Sequence, residues 1–512
     1  MRLDDLLRRS GLAHPRAGGS SADIAGLTAD SRAVAPGFLF AALPGARTDG
    51  RAFIAEAVAR GATAVLAPAG TDWPSGAPPR PLLTDADPRR VLALLAAAFH
   101  GAQPAVLVAV TGTNGKTSTV EFLRQLWTLD GARAASLGTL GLVAGGVPAG
   151  PSLTTPDPVA LHGTLAALAR AGVTRAAMEA SSHGLEQRRL DGAVLTAAGF
   201  TNLTRDHLDY HGGMDAYRAA KLRLFGALLA PGRAVVANAD MEAETLAALR
   251  GIAARRGLRL LTVGEAGADV RLLNHRPLPD GQALAIDAFG ARHDLHLRLP
   301  GRFQADNAMM ALALAVAAGM DAARAPDLLP RLAGVRGRME LAARLANGAT
   351  VYVDYAHTPD ALERLLAALR PHVPPGARLH VVFGAGGDRD PGKRPLMGAA
   401  CARLADRCWV TDDNPRSEDP AAIRAAVLAG CPGGIDAGER RAAIAAAIGD
   451  LGAGDVLAVA GKGHESGQTI GTVTTPFDDA AVVRELVGAA GYPHPGSAQC
   501  AKPPQAGEEG AR

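Results

Sequence analysis

The residues Gly112-Thr113-Asn114-Gly115-Lys116-Thr117-Ser118 have the composition of a nucleotide-phosphate grip. Two glycines let the backbone curl until successive N–H groups, and the N-terminus of a helix begun there, face one anion. Lys116 would then meet the β- and γ-phosphates of a nucleotide, and the Thr117 hydroxyl would ligate Mg²⁺. The full phosphate-loop pattern asks for a glycine where Val110 stands, so the loop is a shortened variant. Glu179 in MEASSHG and His207 in TNLTRDHLDYHG each end an apolar run that reads as a strand. Carboxylate and imidazole donors at the carboxyl ends of parallel strands suit a metal beside those phosphates. Lys221 in MDAYRAAKLRLF falls on a helical pattern. It is either an exposed ammonium or, after capture of CO₂, a carbamate (N6-carboxylysine) whose negative charge can serve Mg²⁺. Lysine is scarce, only five of the 53 basic residues, and four of the five lie in or beside motifs. In Asp413-Asn414-Pro415-Arg416 a proline fixes a turn, and an arginine there can fork onto a carboxylate through two parallel hydrogen bonds.

These side chains need rigid elements behind them. The chain of 512 residues is long enough for about three domains. Residues 1–103 alternate short β-rich runs, Gly37 to Ala42 and Ala62 to Leu66, with helical patterns, and read as a small α/β domain. Residues 104–335 open with a buried strand over 105–110, the phosphate loop and a helix from Ser118 to Trp127. Further strands follow over 175–178, 197–201 and 234–237, so a mostly parallel sheet is predicted. Residues 336–490 alternate strands over 350–354, 379–383, 407–411 and 455–460 with helices over 360–369 and 395–405, a doubly wound pattern. Residues 491–512, rich in proline and poor in large apolar side chains, read as a disordered tail.

Composition excludes other classes. The longest apolar stretch, Ala308 to Met320, is 13 residues, short of the roughly 18 that span a bilayer. The N-terminus interleaves acids and arginines with leucines and lacks a secretory core, so a cytoplasmic protein with no membrane partner is expected. A net charge of +3 without a basic stripe gives no nucleic-acid footprint. Cys401, Cys408, Cys431 and Cys500 show no metal or disulfide spacing.

Taken in order, TGTNGKT (111–117), EASSHGLEQRRL (179–190), TNLTRDHLDYHG (201–212), Lys221, GRFQADN (301–307), GRME (337–340), DYAHTPD (354–360), GDRDPGKRP (387–395), DNPR (413–416) and GKGHE (461–465) resemble the Mur ligases. The resemblance covers roughly residues 20 to 485. It implies an α/β, three-domain architecture with a central P-loop domain and a C-terminal Rossmann-like domain. The implied activity is ATP-dependent amide ligation that adds meso-2,6-diaminopimelate to UDP-N-acetylmuramoyl-L-Ala-D-Glu through an acyl phosphate, in peptidoglycan precursor synthesis, by a monomer.

The resemblance also implies residue roles. Residues 112–118 would hold ATP phosphates, with Asn307 near the adenine and Arg338 and Asp354 reaching phosphate and ribose. Thr117, Glu179, His207 and carbamylated Lys221 would serve Mg²⁺, and Lys116, Glu179, His207 and Lys221 would be catalytic. Ser31 and Ala46-Arg47-Thr48 would meet the UDP portion, and Thr154, Thr155, Ser181, Gln187 and Arg189 the muramoyl peptide. Arg389, Asp413, Asn414, Pro415, Arg416, Gly461 and Glu465 would form the diaminopimelate pocket, with Arg416 on the distal carboxylate and Glu465 on the distal ammonium. His357 is a candidate proton acceptor. Gln304 and Leu153 depart from the family's usual polar residues. Competing readings are a lysine-adding or folylpolyglutamate-type ligase on the same fold, opposed by DNPR and by the N-terminal UDP-contact domain, and a regulatory protein that has lost ligation.

Overall fold

The structure, a computed structural model, describes residues 1–12, 22–45, 48–145, 153–204, 208–278 and 280–489. The chain separates into two compact units, one of residues 1–274, 285–295 and 304–332, the other of 275–284, 296–303 and the residues from 333 on.

In the first unit, the N-terminal residues form a parallel sheet in the order Gly26–Thr28, Phe38–Ala41, Ala64–Pro68, Leu82–Asp85. Side chains alternate along each strand, so Leu39, Ala41 and Leu66 pack with Leu3, Leu6, Leu92 and Leu95 on one face. Phe40, Val65 and Ala67 pack with Ile54 and Val58 on the other. The two middle strands match the sequence expectation. The flanking strands, Gly26–Thr28 and Leu82–Asp85, carry no run of three buried residues to mark them in the sequence.

A ten-stranded sheet carries the phosphate loop. Its centre runs Ala234–Asn238, Ala197–Phe200, Val106–Thr111, Arg175–Glu179, Ala134–Gly138, all parallel, so their carboxyl ends share one edge. Register sets Glu179 abreast of Val110 and Phe200 abreast of Thr111. Helix Lys116–Leu129 begins at Lys116 rather than Ser118, because Gly115 adopts a left-handed conformation and serves as its N-cap. Gly141–Ala144 adds an antiparallel edge, and the opposite side continues through Arg259–Gly264, Val270–Leu278, Gly281–Ala288 and Ala291–Leu297. The helix Arg302–Ala317 is buried along most of its length, which accounts for the apolar run at 308–320 as a core helix. No helix among the described residues is long and apolar enough to cross a membrane.

The second unit is built on a six-stranded sheet in the order Glu340–Arg344, Thr350–Asp354, Val456–Ala460, Leu379–Phe383, Arg407–Thr411, Ile435–Gly438. All but the first run parallel. Helices Pro359–Leu369 and Lys393–Leu404 flank one face, and Arg440–Gly449 and Asp479–Ala489 the other. Asp354, Gly461 and the Asp413 turn all follow carboxyl ends of this sheet, where ligands of doubly wound folds bind.

Candidate functional site

The phosphate loop is clamped by its neighbours. Gly112 has φ +144° and a Cβ there would lie 1.9 Å from Thr201 Oγ1, while Gly115 has φ +83° and a Cβ there would lie 2.3 Å from Asn307 Oδ1. Neither position accepts a side chain. The Thr113 amide donates to Asn202 O at 2.9 Å, the Asn114 amide to Asn202 Oδ1 at 2.9 Å, and Thr201 Oγ1 to Asn114 O at 2.6 Å. Thr113 Oγ1 also lies 3.2 Å from the Tyr217 hydroxyl. Two lysines converge on the loop's first carbonyl: Lys116 Nζ donates to Gly112 O at 3.0 Å and Thr113 O at 2.8 Å, and Lys221 Nζ donates to Gly112 O at 2.8 Å. Lys221 is buried, with its ammonium 4.4 Å from the Tyr217 ring centroid. A π-helical segment, Leu224–Leu228, immediately follows its helix.

Beside the loop lies a buried carboxylate. Glu179 Oε1 accepts from Thr117 Oγ1 at 3.0 Å and from the Thr139 amide at 2.7 Å, and Oε2 accepts from Thr139 Oγ1 at 3.3 Å. A hydroxyl and a carboxylate in contact at the mouth of a phosphate loop are the hard oxygen donors that Mg²⁺ takes, so the residues fit that ion. Among the described residues no group of three or more His, Cys, Asp and Glu side chains forms a metal cluster. His207, Ala46 and Arg47 lie outside the described residues.

The residues expected to meet the peptide form one network tied to Glu179. Thr155 Oγ1 donates to Glu179 O at 2.9 Å and accepts from the Ser181 amide at 3.0 Å. Ser181 caps the helix Ser182–Glu186 through the Gly184 amide. Arg189 donates to Thr155 O at 2.6 Å and Gln187 Oε1 at 2.8 Å, Gln187 donates to the Tyr210 hydroxyl at 3.1 Å, and Thr154 Oγ1 lies 3.1 Å from Thr139 Oγ1. Ser31, in a short turn capped by Asp30, and exposed Thr48 lie in the connections after the first two strands of the N-terminal sheet and make no hydrogen bond to this network among the described residues. Asn307, buried against Gly115, donates to Gln304 Oε1 at 3.3 Å.

In the second unit, Asp354 accepts from the Met339 amide at 2.8 Å and the Ala356 amide at 2.9 Å. Burial pushes its carboxyl up, opposed by the Arg338 guanidinium and these two amides. Arg338 stacks 5.0 Å from the Tyr355 ring centroid. His357 Nδ1 lies 2.8 Å from Tyr355 O.

The DNPR and GKGHE turns come together. Arg416 adopts φ +53°, so the turn holds it in a conformation that L-residues seldom take, and Pro415 alone does not account for its placement. A hairpin, Gly467–Ile470 with Val473–Pro476, does: the Arg416 amide donates to Thr469 O at 3.1 Å and the Gly471 amide to Arg416 O at 2.6 Å. Arg416 Nη1 donates to Gly387 O at 2.7 Å, and its Nε and Nη2 have no protein partner among the described residues. Among the described residues Arg389 makes one long hydrogen bond, 3.5 Å from Nη1 to Asp388 O. Gly461, at φ +121°, donates to Asp354 O at 3.1 Å, and a Cβ there would lie 2.8 Å from Asp413 Oδ2. Asn414 Nδ2 donates to Glu465 Oε2 at 3.1 Å. Sequence reasoning missed Thr139, Asn202, Tyr217 and the role of Lys462. Only the lysine carried a signal, its rarity.

Comparison with known proteins accords with this geometry. Residues 23–100 match the Mur ligase family catalytic domain, 110–315 the Mur ligase middle domain, and 337–463 the Mur ligase glutamate ligase domain. The chain belongs to the Mur ligase family. It is 53% identical over 486 residues to a UDP-N-acetylmuramoyl-L-alanyl-D-glutamate--2,6-diaminopimelate ligase of Caulobacter vibrioides, covering 94% of this chain and 97% of that one. A solved structure of a ligase of the same description superposes with a TM-score of 0.71 at 33% identity, covering 96% of this chain and 100% of the other. Folylpolyglutamate synthase of Mycobacterium tuberculosis, solved with ADP, shares the fold at a TM-score of 0.60 and 22% identity, over 78% of this chain and 94% of that one.

Proposed function

We propose that this chain is the ATP-dependent ligase that joins meso-2,6-diaminopimelate to UDP-N-acetylmuramoyl-L-alanyl-D-glutamate in peptidoglycan precursor synthesis. A carboxylate is a poor electrophile, so ATP first phosphorylates it, releasing ADP. The amine of diaminopimelate then attacks the acyl phosphate, forming the amide and releasing phosphate. Such chemistry rests on gathering anions and aligning the nucleophile.

In this reading residues 112–118 with Asn307, Arg338 and Asp354 bind ATP. Thr117, Glu179 and His207, with Lys221 as a carbamate, serve Mg²⁺, which would screen the phosphates. A carbamylated Lys221 keeps one N–H for Gly112 O while adding a carboxylate. Ser31, Ala46, Arg47 and Thr48 take the UDP end, and Thr154, Thr155, Ser181, Gln187 and Arg189 take the muramoyl peptide. The domains run 1–103, 104–335 and 336–490, with a tail over 491–512, and the protein acts as a cytoplasmic monomer without membrane or nucleic-acid partners.

The observation that carries the choice of amino acid is Arg416, whose Nε and Nη2 have no protein partner among the described residues while Nη1 is anchored on Gly387. A guanidinium so held selects an amino acid with a second carboxylate, which lysine lacks. The test is mass spectrometry of the product formed from ATP, Mg²⁺ and the UDP-dipeptide with meso-diaminopimelate, L-lysine or L-ornithine in separate reactions. Product with diaminopimelate alone is expected. Product with lysine alone overturns the Arg416 argument, and product in none overturns the ligase reading.

A further inference from the structure

The fully buried Lys462 is assigned no role by the reading above, although it lies in the middle of the amino-acid pocket's wall. Its flanking glycines, Gly461 and Gly463, have φ +121° and +54°, and a Cβ at Gly463 would lie 2.7 Å from Tyr355 Cβ. The Gly-Lys-Gly turn is thus pressed against its neighbours while the lysine side chain runs inward. Its Nζ donates to Asn414 Oδ1 at 3.0 Å and Glu465 Oε2 at 3.4 Å and lies 3.7 Å from Asp413 Oδ1.

This arrangement decides which way Asn414 faces. Asn414 Oδ1 also accepts from the Thr469 amide at 2.9 Å. A backbone amide and an ammonium can only donate, so the Asn414 atom between them must be the carbonyl oxygen. The amide nitrogen is thereby turned onto Glu465 Oε2. With Oε2 occupied by Asn414 and Lys462, Glu465 Oε1 is the carboxylate oxygen left without a protein partner among the described residues, on a side chain 35% exposed. Behind this wall the buried pair Arg440–Asp479, at 2.7 Å, supplies a second fixed cation, its Nη2 donating to Ala460 O at 3.0 Å.

We infer that Lys462 is a positioning residue for the amino-acid substrate: its ammonium fixes the Asn414 amide and holds Glu465 so that one carboxylate oxygen meets the incoming ammonium group. The inference rests on the ligase reading and extends it to a residue that does not touch substrate. Two features make the lysine suited to the task. Its charge offsets Asp413 and Glu465, and its three N–H donors reach both turns at once.

The test compares wild type, Lys462→Met, Glu465→Gln and the double variant in steady-state ligation, with KM measured separately for meso-diaminopimelate and ATP. Lys462→Met is expected to lower kcat/KM for diaminopimelate by about 5- to 150-fold, the range that one unsatisfied buried partner sets. The KM for ATP should stay within about twofold. Because Lys462 acts through Glu465, adding Lys462→Met to Glu465→Gln should cost about threefold or less, a non-additivity that a general loss of stability does not produce. The double variant also keeps the charge balance, so that comparison stands even if Lys462→Met alone fails to fold. Equal changes in both KM values, unchanged kinetics in Lys462→Met, or additive losses overturn the inference while leaving the ligase reading intact. Wild type that neither forms tripeptide nor binds diaminopimelate by calorimetry overturns both.

Discussion

Arg416→Ala isolates the group proposed to choose the amino acid. Alanine keeps Cβ, and with it the strain of φ +53°, so the backbone penalty is unchanged and the difference reports the guanidinium. What is removed is the 2.7 Å bond to Gly387 O and the open Nε and Nη2 edge. Truncating one partner of a desolvated, hydrogen-bonded charge pair costs about 2–5 kcal/mol, or about 30-fold to several-thousand-fold in kcat/KM for diaminopimelate. The assay is ADP release against diaminopimelate concentration at saturating ATP and UDP-dipeptide, repeated with ATP varied and with lysine as a poor competitor. The KM for ATP should hold within about twofold, and the preference for diaminopimelate over lysine should fall, because lysine has no second carboxylate to lose. An equal loss on both amino acids, or a matching rise in the KM for ATP, refutes the reasoning.

Lys116→Ala should lower ligation by at least about a thousandfold, since the loop's amides alone do not offset the γ-phosphate charge, and turnover near wild type would remove the ATP-site assignment. Gly115→Ala places a methyl 2.3 Å from Asn307 Oδ1 at a left-handed φ of +83° and should raise the KM for ATP sharply; a KM within about twofold of wild type refutes the clash. Isotope-labelled bicarbonate should give a carbamate resonance in wild type that Lys221→Ala lacks, and its absence from active enzyme refutes the modification. Burial lowers the affinity of His162, His372, His380 and His464 for protons. The unfolded chain therefore binds more protons than the folded one below about pH 6.5, so stability, full above it, falls as pH drops. Thermal melts should show Tm decreasing from pH 7.5 to 5.5, less steeply in His380→Gln, and a flat profile refutes the argument.

The parts of the site legible in the sequence are those made by consecutive residues. Strand, glycine loop and helix fix Lys116 and Thr117 from local backbone rules alone, and Glu179 follows because parallel register carries the end of its strand to the same edge. Contacts set by tertiary register left no such trace. Asn202 clamps the loop from a neighbouring strand end, Thr139 reaches Glu179 from another, and the hairpin that holds Arg416 comes some fifty residues later in the chain. Among the strands that the sequence does not announce, Glu340–Arg344, Gly141–Ala144 and those between 270 and 297 are sheet-edge or extension strands, several with exposed or half-buried residues, whereas Ala134–Gly138, buried inside the ten-stranded sheet, is an Ala-Ala-Ser-Leu-Gly run with one large apolar side chain. Domain grouping was equally hidden, since residues 275–284 and 296–303 belong with the second unit although they lie within the middle region of the chain.

The two proposed sites are held by the same device at different strand ends. At the phosphate loop, Gly112 and Gly115 permit backbone turns whose approach to Thr201 and Asn307 excludes any side chain. At the proposed amino-acid pocket, Gly461 and Gly463 do the same against Asp413 and Tyr355. In each case a buried lysine crosses to a neighbouring turn, Lys221 to Gly112 O and Lys462 to Asn414 Oδ1. Arginine's planar fork would need more room and a flat partner, whereas an ammonium offers donors in three directions within a small volume. That difference gives a physical reason for lysine at position 462, while at 221 an arginine could not take up CO₂ to give the proposed carbamate, in a chain where 48 of the 53 basic residues are arginine. It also yields a discriminating substitution: Lys462→Arg, which keeps the charge but not the shape, should behave like Lys462→Met toward diaminopimelate. Full activity in that variant would show that charge alone suffices there.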